Sequence, residues 1–420
     1  MDVWIAGAVF AVSYVAIATE RFDRTLIALL GGLLLILLGV IDQHAAFAAI
    51  DFNVIFLLAG MMVIANALGR TGFFEWLGMR AVYASHAEPF RLLVLLAIVT
   101  AVLSAFLDNV TTVVLMAPVA LVTARRLDVS PYPFLISQII ASNIGGTATL
   151  IGDPPNIMIG SAAGLDFGAF VLNLGPVVVL ILAAYLVTLR FSFQDGLSVS
   201  AERREALLAA PPEQLIRDPR LLAQSLLILG LTTLGFLIHA ALGVEAATVA
   251  LLGATLLLLI SGLEAHDAFR EIEWSTLLFF VGLFILVEGV VEVGIIAAVA
   301  DTLAATGGPI GVMAIGLVWV SALASAVVDN IPYTATAIPV VERLVADGLP
   351  AQPLWWALAL GACLGGNLTL VGASANVVVA NVAARAGYPI RFMEFFRHGA
   401  VVVIESLVIS SAYLWLRYLS

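Results

Sequence analysis

The sequence predicts an all-α polytopic membrane protein made of two inverted-topology repeats, each with five spanning helices, a re-entrant hairpin and a broken helix. Three observations predict it. Of 420 residues, 62% are hydrophobic and only 11% charged, against an apolar share of about 45–50% in globular chains. The apolar residues come in runs long enough to cross a hydrocarbon core roughly 30 Å thick. The pattern of the first 190 residues also returns, motif by motif, after residue 220. The same composition excludes secreted disulfide scaffolds, nucleic-acid binders and soluble enzymes. There is one cysteine, Cys363, and the eighteen basic residues, all arginine, form no tract. No cofactor or metal site is expected.

In chain order the apolar runs cover 3–19, 24–41 and 53–69, then a shorter pair at 92–107 and 110–124, then 134–164 and 169–190. The start, Met-Asp-Val-Trp-Ile-Ala-Gly, has no positive n-region and no cleavage site, so the first run is expected to stay as a helix. Residues 191–220 hold nine charges with Pro211, Pro212 and Pro219, the composition of a solvated cytoplasmic connector. The pattern restarts at 221–240, 246–261 and 275–291, continues with a short pair at 309–327 and 332–345, and ends with 353–386 and 394–417. The expected organisation is a first repeat over 1–190, a linker over 191–220 and a second repeat over 221–420.

The two halves match at a shift of 220–222 residues. Asp42, His44 and Asp51 align with Glu264, His266 and Glu273, and Gly60 with Gly282. Ser104, Asp108, Asn109 and Pro118 align with Ser325, Asp329, Asn330 and Pro339. Gly145, Gly146, Thr149, Gly152 and Asn156 align with Gly365, Gly366, Thr369, Gly372 and Asn376. Internal repeats of this kind are a recurring design of secondary transporters. Five spans per half is an odd number, so the second half enters from the opposite face. All arginines but Arg343 and Arg417 fall on one side of the resulting topology, which the positive-inside rule makes cytoplasmic. Both termini are then expected outside a bacterial inner membrane.

Each short pair has legs of about 15 residues that reach only some 22–24 Å at 1.5 Å per residue, barely enough to cross. Their turns, Asp108-Asn109 and Asp329-Asn330, sit between apolar segments with no Gly-rich or multiply charged loop. A re-entrant hairpin whose tip stops in the membrane accounts for this, because irregular backbone is tolerated there when it lines a cavity. The long run after each hairpin is interrupted, at Gly145-Gly146-Thr147-Ala148-Thr149-Leu150-Ile151-Gly152-Asp153-Pro154-Pro155-Asn156 and at Gly365-Gly366-Asn367-Leu368-Thr369-Leu370-Val371-Gly372-Ala373-Ser374-Ala375-Asn376. The prolines remove amide donors and the glycines weaken the turn, so each helix should break and expose free carbonyls and a half-helix N-terminus. Asp153 followed by Pro154 also fits a plain helix cap, and Asp108 and Asp329 could cap the second hairpin legs. An ionisable group near the bilayer centre costs on the order of 2.5–3.5 kcal/mol. That makes Asp108 and Asp329 candidates for proton and substrate coupling. The candidate substrate-binding set is Asn109, Thr111, Thr112, Asn143, Gly146, Thr147, Thr149, Asp153, Asn156, Asn330, Gly366, Asn367, Thr369, Ser374 and Asn376.

Leu-Asp-Asn-Val-Thr-Thr at 107–112, the 143–156 and 365–376 stretches and Val-Asp-Asn-Ile-Pro at 328–332 resemble the ion transporter superfamily. The resemblance covers essentially the whole chain. It points to the branch of ArsB-type arsenite permeases, NhaD-type sodium/proton antiporters and P-protein-like transporters. The best-known arsenite permeases carry Asn-Asp-Gly where this chain has Asp108-Asn109-Val110, which sets it nearer the P-protein-like group. The resemblance implies a scaffold domain, a mobile transport domain and hairpin tips that contact substrate. It leaves open a homodimer and a cytoplasmic ATPase subunit.

The arginines fall at or near the ends of the predicted spans and are not expected to balance a polyanion, so two tip aspartates would repel a di- or tricarboxylate at low dielectric. Two aspartates suit a proton, a small cation such as sodium, or a neutral hydroxylated acid such as arsenous acid. The leading expectation is proton-coupled efflux of arsenite or antimonite, with sodium/proton antiport as the alternative and a carboxylate permease behind it. An intramembrane aspartyl protease also uses two embedded aspartates, about 3 Å apart and sharing a proton. It needs no paired broken helices, and its Gly-x-Gly-Asp sequence is absent here. The expected partners are thus a small inorganic solute, protons and the lipid bilayer, with no nucleic acid.

Overall fold

The computed structural model describes residues 2–19, 21–193, 197, 199–209, 215–305 and 308–420. Among these residues every regular element is helical. The first half contains α1 (Asp2–Ala18), α2 (Arg24–Leu37), α3 (Gln43–Ala48), α4 (Phe52–Arg70), α5 (Phe73–Ala84), α6 (Pro89–Phe106) and α7 (Asn109–Leu127). It continues with α8 (Tyr132–Gly146), α9 (Pro154–Ala163), α10 (Phe167–Asn173) and α11 (Gly175–Phe193). After α12 (Ala201–Leu208) come α13 (Pro219–Leu242), α14 (Ala246–Ser261), α15 (Ala265–Arg270), α16 (Trp274–Glu292) and α17 (Ile295–Ala305). Then follow α18 (Ile310–Val328), α19 (Asn330–Ala346), α20 (Ala351–Gly365), α21 (Ser374–Arg385) and α22 (Phe392–Leu414). Eight helices among the described residues are long and apolar enough to cross a membrane. α1, α2 and α14, counted as spans in the parity argument, are shorter at 17, 14 and 16 residues.

Helices at equivalent places in the two halves pack in equivalent ways. α2 lies on α16 and α4 on α14, so the halves interlock rather than sit side by side. Glycine permits both crossings: a Cβ on Gly60 would lie 2.7 Å from the Ala250 carbonyl carbon, and one on Gly282 2.5 Å from the Leu29 nitrogen. Likewise α6 packs on α8 and α18 on α20, through Gly145 against Ala101 and Gly365 against Ala322. Small residues at such contacts let helix backbones approach where lipid offers no hydrophobic drive. The second hairpin legs then cross between halves, α7 against α21 and α19 against α9.

Three expectations change. The hairpin legs have 18, 19, 19 and 17 residues rather than about 15, which gives roughly 26–28 Å at 1.5 Å per residue. Length therefore does not mark them as re-entrant. Their tips are buried inside the protein: Asp108, Asn109, Asp329 and Asn330 are all at most 8% exposed. Second, the linker is not a free connector. Arg217 donates its backbone N–H to Thr71 O and pairs with Glu75, Arg203 pairs with Asp128, and Tyr83 donates to Leu208 O. Gly72, with φ +81°, makes room for it, since a Cβ there would meet Leu215 O at 2.0 Å. Third, α5 and α17 occupy stretches for which no element was expected, being 12 and 11 residues long and too short to span.

Candidate solute site at the hairpin tips

Both helix breaks fall where the glycines and prolines predict. α8 stops at Gly146 and α9 starts at Pro154, while α20 stops at Gly365 and α21 starts at Ser374. Across each break the backbones nearly touch. A Cβ on Gly146 would lie 2.3 Å from Gly152 O, and one on Gly372 2.7 Å from Gly366 O. Several of the carbonyls freed by the breaks are taken up by side-chain amides rather than left free. Asn156 Nδ2 donates to Thr147 O at 3.1 Å and Thr149 O at 2.9 Å, and Asn376 Nδ2 to Gly366 O at 2.7 Å and Thr369 O at 2.8 Å. A buried carbonyl without a donor costs about 1–3 kcal/mol, and in both halves an asparagine of the second half-helix reaches back to supply one. Thr147 Oγ1 likewise bonds back to Asn143 O. The hairpins are tied to the breaks by Thr149 Oγ1 donating to Ala105 O and Thr369 Oγ1 to Ala326 O, with Ser104 on Ser142 O and Ser325 on Ala362 O.

The tips meet at Asp153. Its carboxylate makes no cap bond with α9, which overturns the capping reading. It accepts instead from Asn109 Nδ2 at 3.2 Å and from Asn330 Nδ2 at 3.1 Å, one amide from each hairpin. A chain of amides continues from there: Asn109 Nδ2 also donates to Asn143 Oδ1 at 3.0 Å, and Asn143 Nδ2 donates to Asn367 Oδ1 and Asn376 Oδ1, both at 2.9 Å. Three buried polar atoms of this region have no partner, Asn109 Oδ1, Asn367 Nδ2 and, one turn along α7, Thr112 Oγ1. Asp108 does cap its helix, accepting from Thr111 N at 2.7 Å and from Thr111 Oγ1. Asp329 accepts from Ile331 N and Ser374 Oγ, each at 3.0 Å. Its φ of +86° is rare for a residue with a side chain and costs about 1–3 kcal/mol, strain of the kind that gathers at functional sites.

Three residues outside the predicted set belong to this region. Arg24, the first residue of α2, reaches Asp329 Oδ2 at 3.4 Å, donates to Ser374 Oγ and lies 5.1 Å over the Phe279 ring. The expectation that no arginine balances the tips is therefore wrong. Arg24 starts its helix rather than sitting within it, yet its long side chain carries the charge inward. A cavity of about 440 Å³ opens here, lined by Arg24, Asp329, Ser374, Phe22, Phe279 and Asn381 among others. Glu273, just ahead of α16, makes no cap bond to the backbone, whereas its counterpart Asp51 caps α4. Burial and the Asp108 charge raise its carboxyl above the usual range, partly offset by the Thr276 hydroxyl and by Arg24. Cys363 is fully buried, and its thiol donates to Asn156 Oδ1 at 3.4 Å. It occupies the repeat position of Asn143, a signal visible in the alignment of the halves.

The predicted residues thus divide by place. Asn109, Asn143, Asp153, Asn330, Asn367 and Asn376 form one connected polar network, Asp329 and Ser374 line the cavity, and Asp108 and Thr111 pair with each other. Thr147, Thr149, Asn156, Thr369, Gly146 and Gly366 build the breaks that hold the network.

Paired helical hairpins whose tips meet two broken helices around buried carboxylates are an arrangement found in membrane transporters. A model of the citrate transporter family, CitMHS, matches residues 14–361, and the chain belongs to that family. An uncharacterized transporter of Mycobacterium tuberculosis is 45% identical over 422 residues, covering 99% of this chain and 98% of the relative. The human P protein is 35% identical over 501 residues, covering 98% of this chain and 60% of its own length. Among solved structures, the Alcanivorax borkumensis YdaH transporter is similar in fold, with a TM-score of 0.62 at 15% identity and coverage of 99% and 97%. The chain is a multi-span transporter of this family.

Proposed function

We propose that the protein is a proton-coupled exporter of arsenite or antimonite across a bacterial inner membrane, with both termini outside and two inverted repeats, 1–190 and 221–420, enclosing the site. The observation that carries the reading is the set of unpartnered atoms on the amide network. Asn109 Oδ1 can only accept, Asn367 Nδ2 can only donate, and the Thr112 hydroxyl can do both. A neutral triol such as arsenous acid offers hydroxyls that serve as donors and acceptors together, whereas a bare cation would leave the Asn367 donor without a partner. A di- or tricarboxylate would meet Asp108, Asp153 and Asp329 with, among the described residues, only Arg24 in contact to balance them. Asp108 and Asp329 carry the exchanged proton in this reading. Moving one charge down a potential of 100 mV releases roughly 2.3 kcal/mol, enough for about a fifty-fold gradient of a neutral solute.

Sodium/proton antiport is the second reading, favoured by three carboxylates converging on one region, which are hard oxygen ligands for a hard cation. Asp108→Asn and Asp329→Asn keep the caps and remove the titrating proton. Each single variant in proteoliposomes should lose the pH dependence of arsenite uptake, and wild-type-like pH dependence in both would leave the aspartates as caps alone.

A further inference from the structure

A second cavity, of about 340 Å³, is the repeat counterpart of the one at Arg24. Ala240, Val244 and Ala246 line it where Ala18, Phe22 and Arg24 line the first, and Ile157 and Ser161 where the first has Val377 and Asn381. All five pairs lie at the 220–222 shift that relates the halves. In an inverted repeat, counterpart cavities open to opposite faces. The bounding turns agree: Gly164-Leu165-Asp166 and Gly243-Val244-Glu245 carry no arginine, while the first cavity begins beside Arg21 and Arg24. The first cavity reaches its hairpin tip at Asp329. The second does not reach Asp108, the counterpart of Asp329, and is floored by Leu57, Leu150 and Ile157.

Where the first cavity has Ile17, the second has His239. This imidazole is only 9% exposed. Its Nδ1 lies 2.8 Å from Val244 O, and a carbonyl oxygen can only accept, so Nδ1 carries the hydrogen in the neutral ring. Nε2 is then a bare lone pair. It is buried and has no partner, on a residue that lines the cavity. The groups around it are Asn53 from α4, Ser161 from α9, Asp166 ahead of α10 and Glu245 ahead of α14. Asn53 and Ser161 are bonded to each other, and Asn53 Oδ1 accepts from Ala247 N. Asp166 caps α10, and Glu245 makes no cap bond to α14. The charged neighbours are therefore both carboxylates, which would balance an imidazolium.

We propose that this cavity is the proton port on the face opposite Arg24, and that His239 Nε2 is the atom that receives the proton there. The step is a proton transfer alone: hydronium in the cavity gives its proton to the Nε2 lone pair, leaving water and an imidazolium. The inference rests on the proton-coupled reading above, and two measurements keep the failures apart. In full-length protein labelled with ¹⁵N-histidine in nanodiscs, five imidazoles contribute, and subtraction of the His239→Gln spectrum assigns His239. The expected spectrum shows a hydrogen on Nδ1, an unprotonated Nε2, and conversion to imidazolium on acidification. A hydrogen on Nε2 in the neutral ring, or no change with acid, overturns the proposal. In oriented proteoliposomes, the dependence of transport on pH at the His239 face should vanish in His239→Gln, while the dependence on pH at the Arg24 face keeps its shape. An unaltered profile at the His239 face overturns the proposal even if the imidazole titrates. Wild-type transport indifferent to pH on both faces would instead remove proton coupling itself, and the port with it.

Discussion

Replacing Arg24 with glutamine removes the one positive charge that, among the described residues, touches the hairpin tips. At 3.4 Å the Arg24–Asp329 attraction is about 5 kcal/mol at an effective dielectric of about 20. The Arg24 side chain is 34% exposed, so water and salt screen it, and the attraction falls to about 1–3 kcal/mol, the range of hydrogen bonds to charged groups. In the wild type a proton on the Asp329 carboxylate competes with the guanidinium that contacts Oδ2. That competition is worth roughly 5- to 150-fold in proton concentration, or about 1–2 pH units. The half-maximal pH of transport, varied at the Arg24 face, should therefore move upward by that amount in Arg24→Gln. Arg24→Lys, which keeps a charge but loses the planar fork, should fall between the two. Currents from proteoliposomes on a solid-supported membrane, recorded across pH steps, provide the assay. An Arg24→Gln midpoint equal to that of the wild type would show that Arg24 does not compete with the proton.

Other consequences concern stability and topology. Asn330→Ala leaves Asp153 with a single amide donor and should lower stability by about 1–3 kcal/mol. Combining it with Asn109→Ala should give a non-additive loss, because both act on one carboxylate, readable as thermal unfolding in detergent. Gly145→Ala should lower the unfolding temperature or the folded yield, since its Cβ would fall 2.0 Å from Ala101 O, whereas Gly230→Ala, with nothing within 4 Å, should be tolerated. In a Cys363→Ser background, a cysteine at Ser200 should be labelled only from the cytoplasm and one at Asp347 only from outside. Labelling of both from one side would contradict inverted repeats.

The tips and breaks were legible in the sequence because each is written twice, as Asp-Asn between apolar legs and as Gly-Gly before a second glycine and an asparagine. Arg91, Arg125 and Arg126 lie just outside the runs 92–107 and 110–124, although they belong to the legs of the first hairpin. In fact Glu88 caps α6 ahead of Pro89, and the two arginines sit in the last turn of α7, where cations favour the helix dipole. Arg24 was missed because a charge at a helix start reads as interfacial, and its partner lies 305 residues away. Periodicity carries no trace of such a pairing. The fate of the freed carbonyls was equally hidden, since only the fold brings Asn156 and Asn376 back over the turns they follow. Cys363 was within reach, since at the 220-residue shift it occupies the place of Asn143.

The most direct test of the account is arsenite movement itself. Everted membrane vesicles containing the protein should accumulate arsenite when a proton gradient is imposed, without sodium, and should still do so after Cys363→Ser, because arsenic held by thiolates needs several of them and the chain has one. Vesicles in which arsenite stays put while added sodium releases protons would contradict the account and make the protein a sodium/proton antiporter.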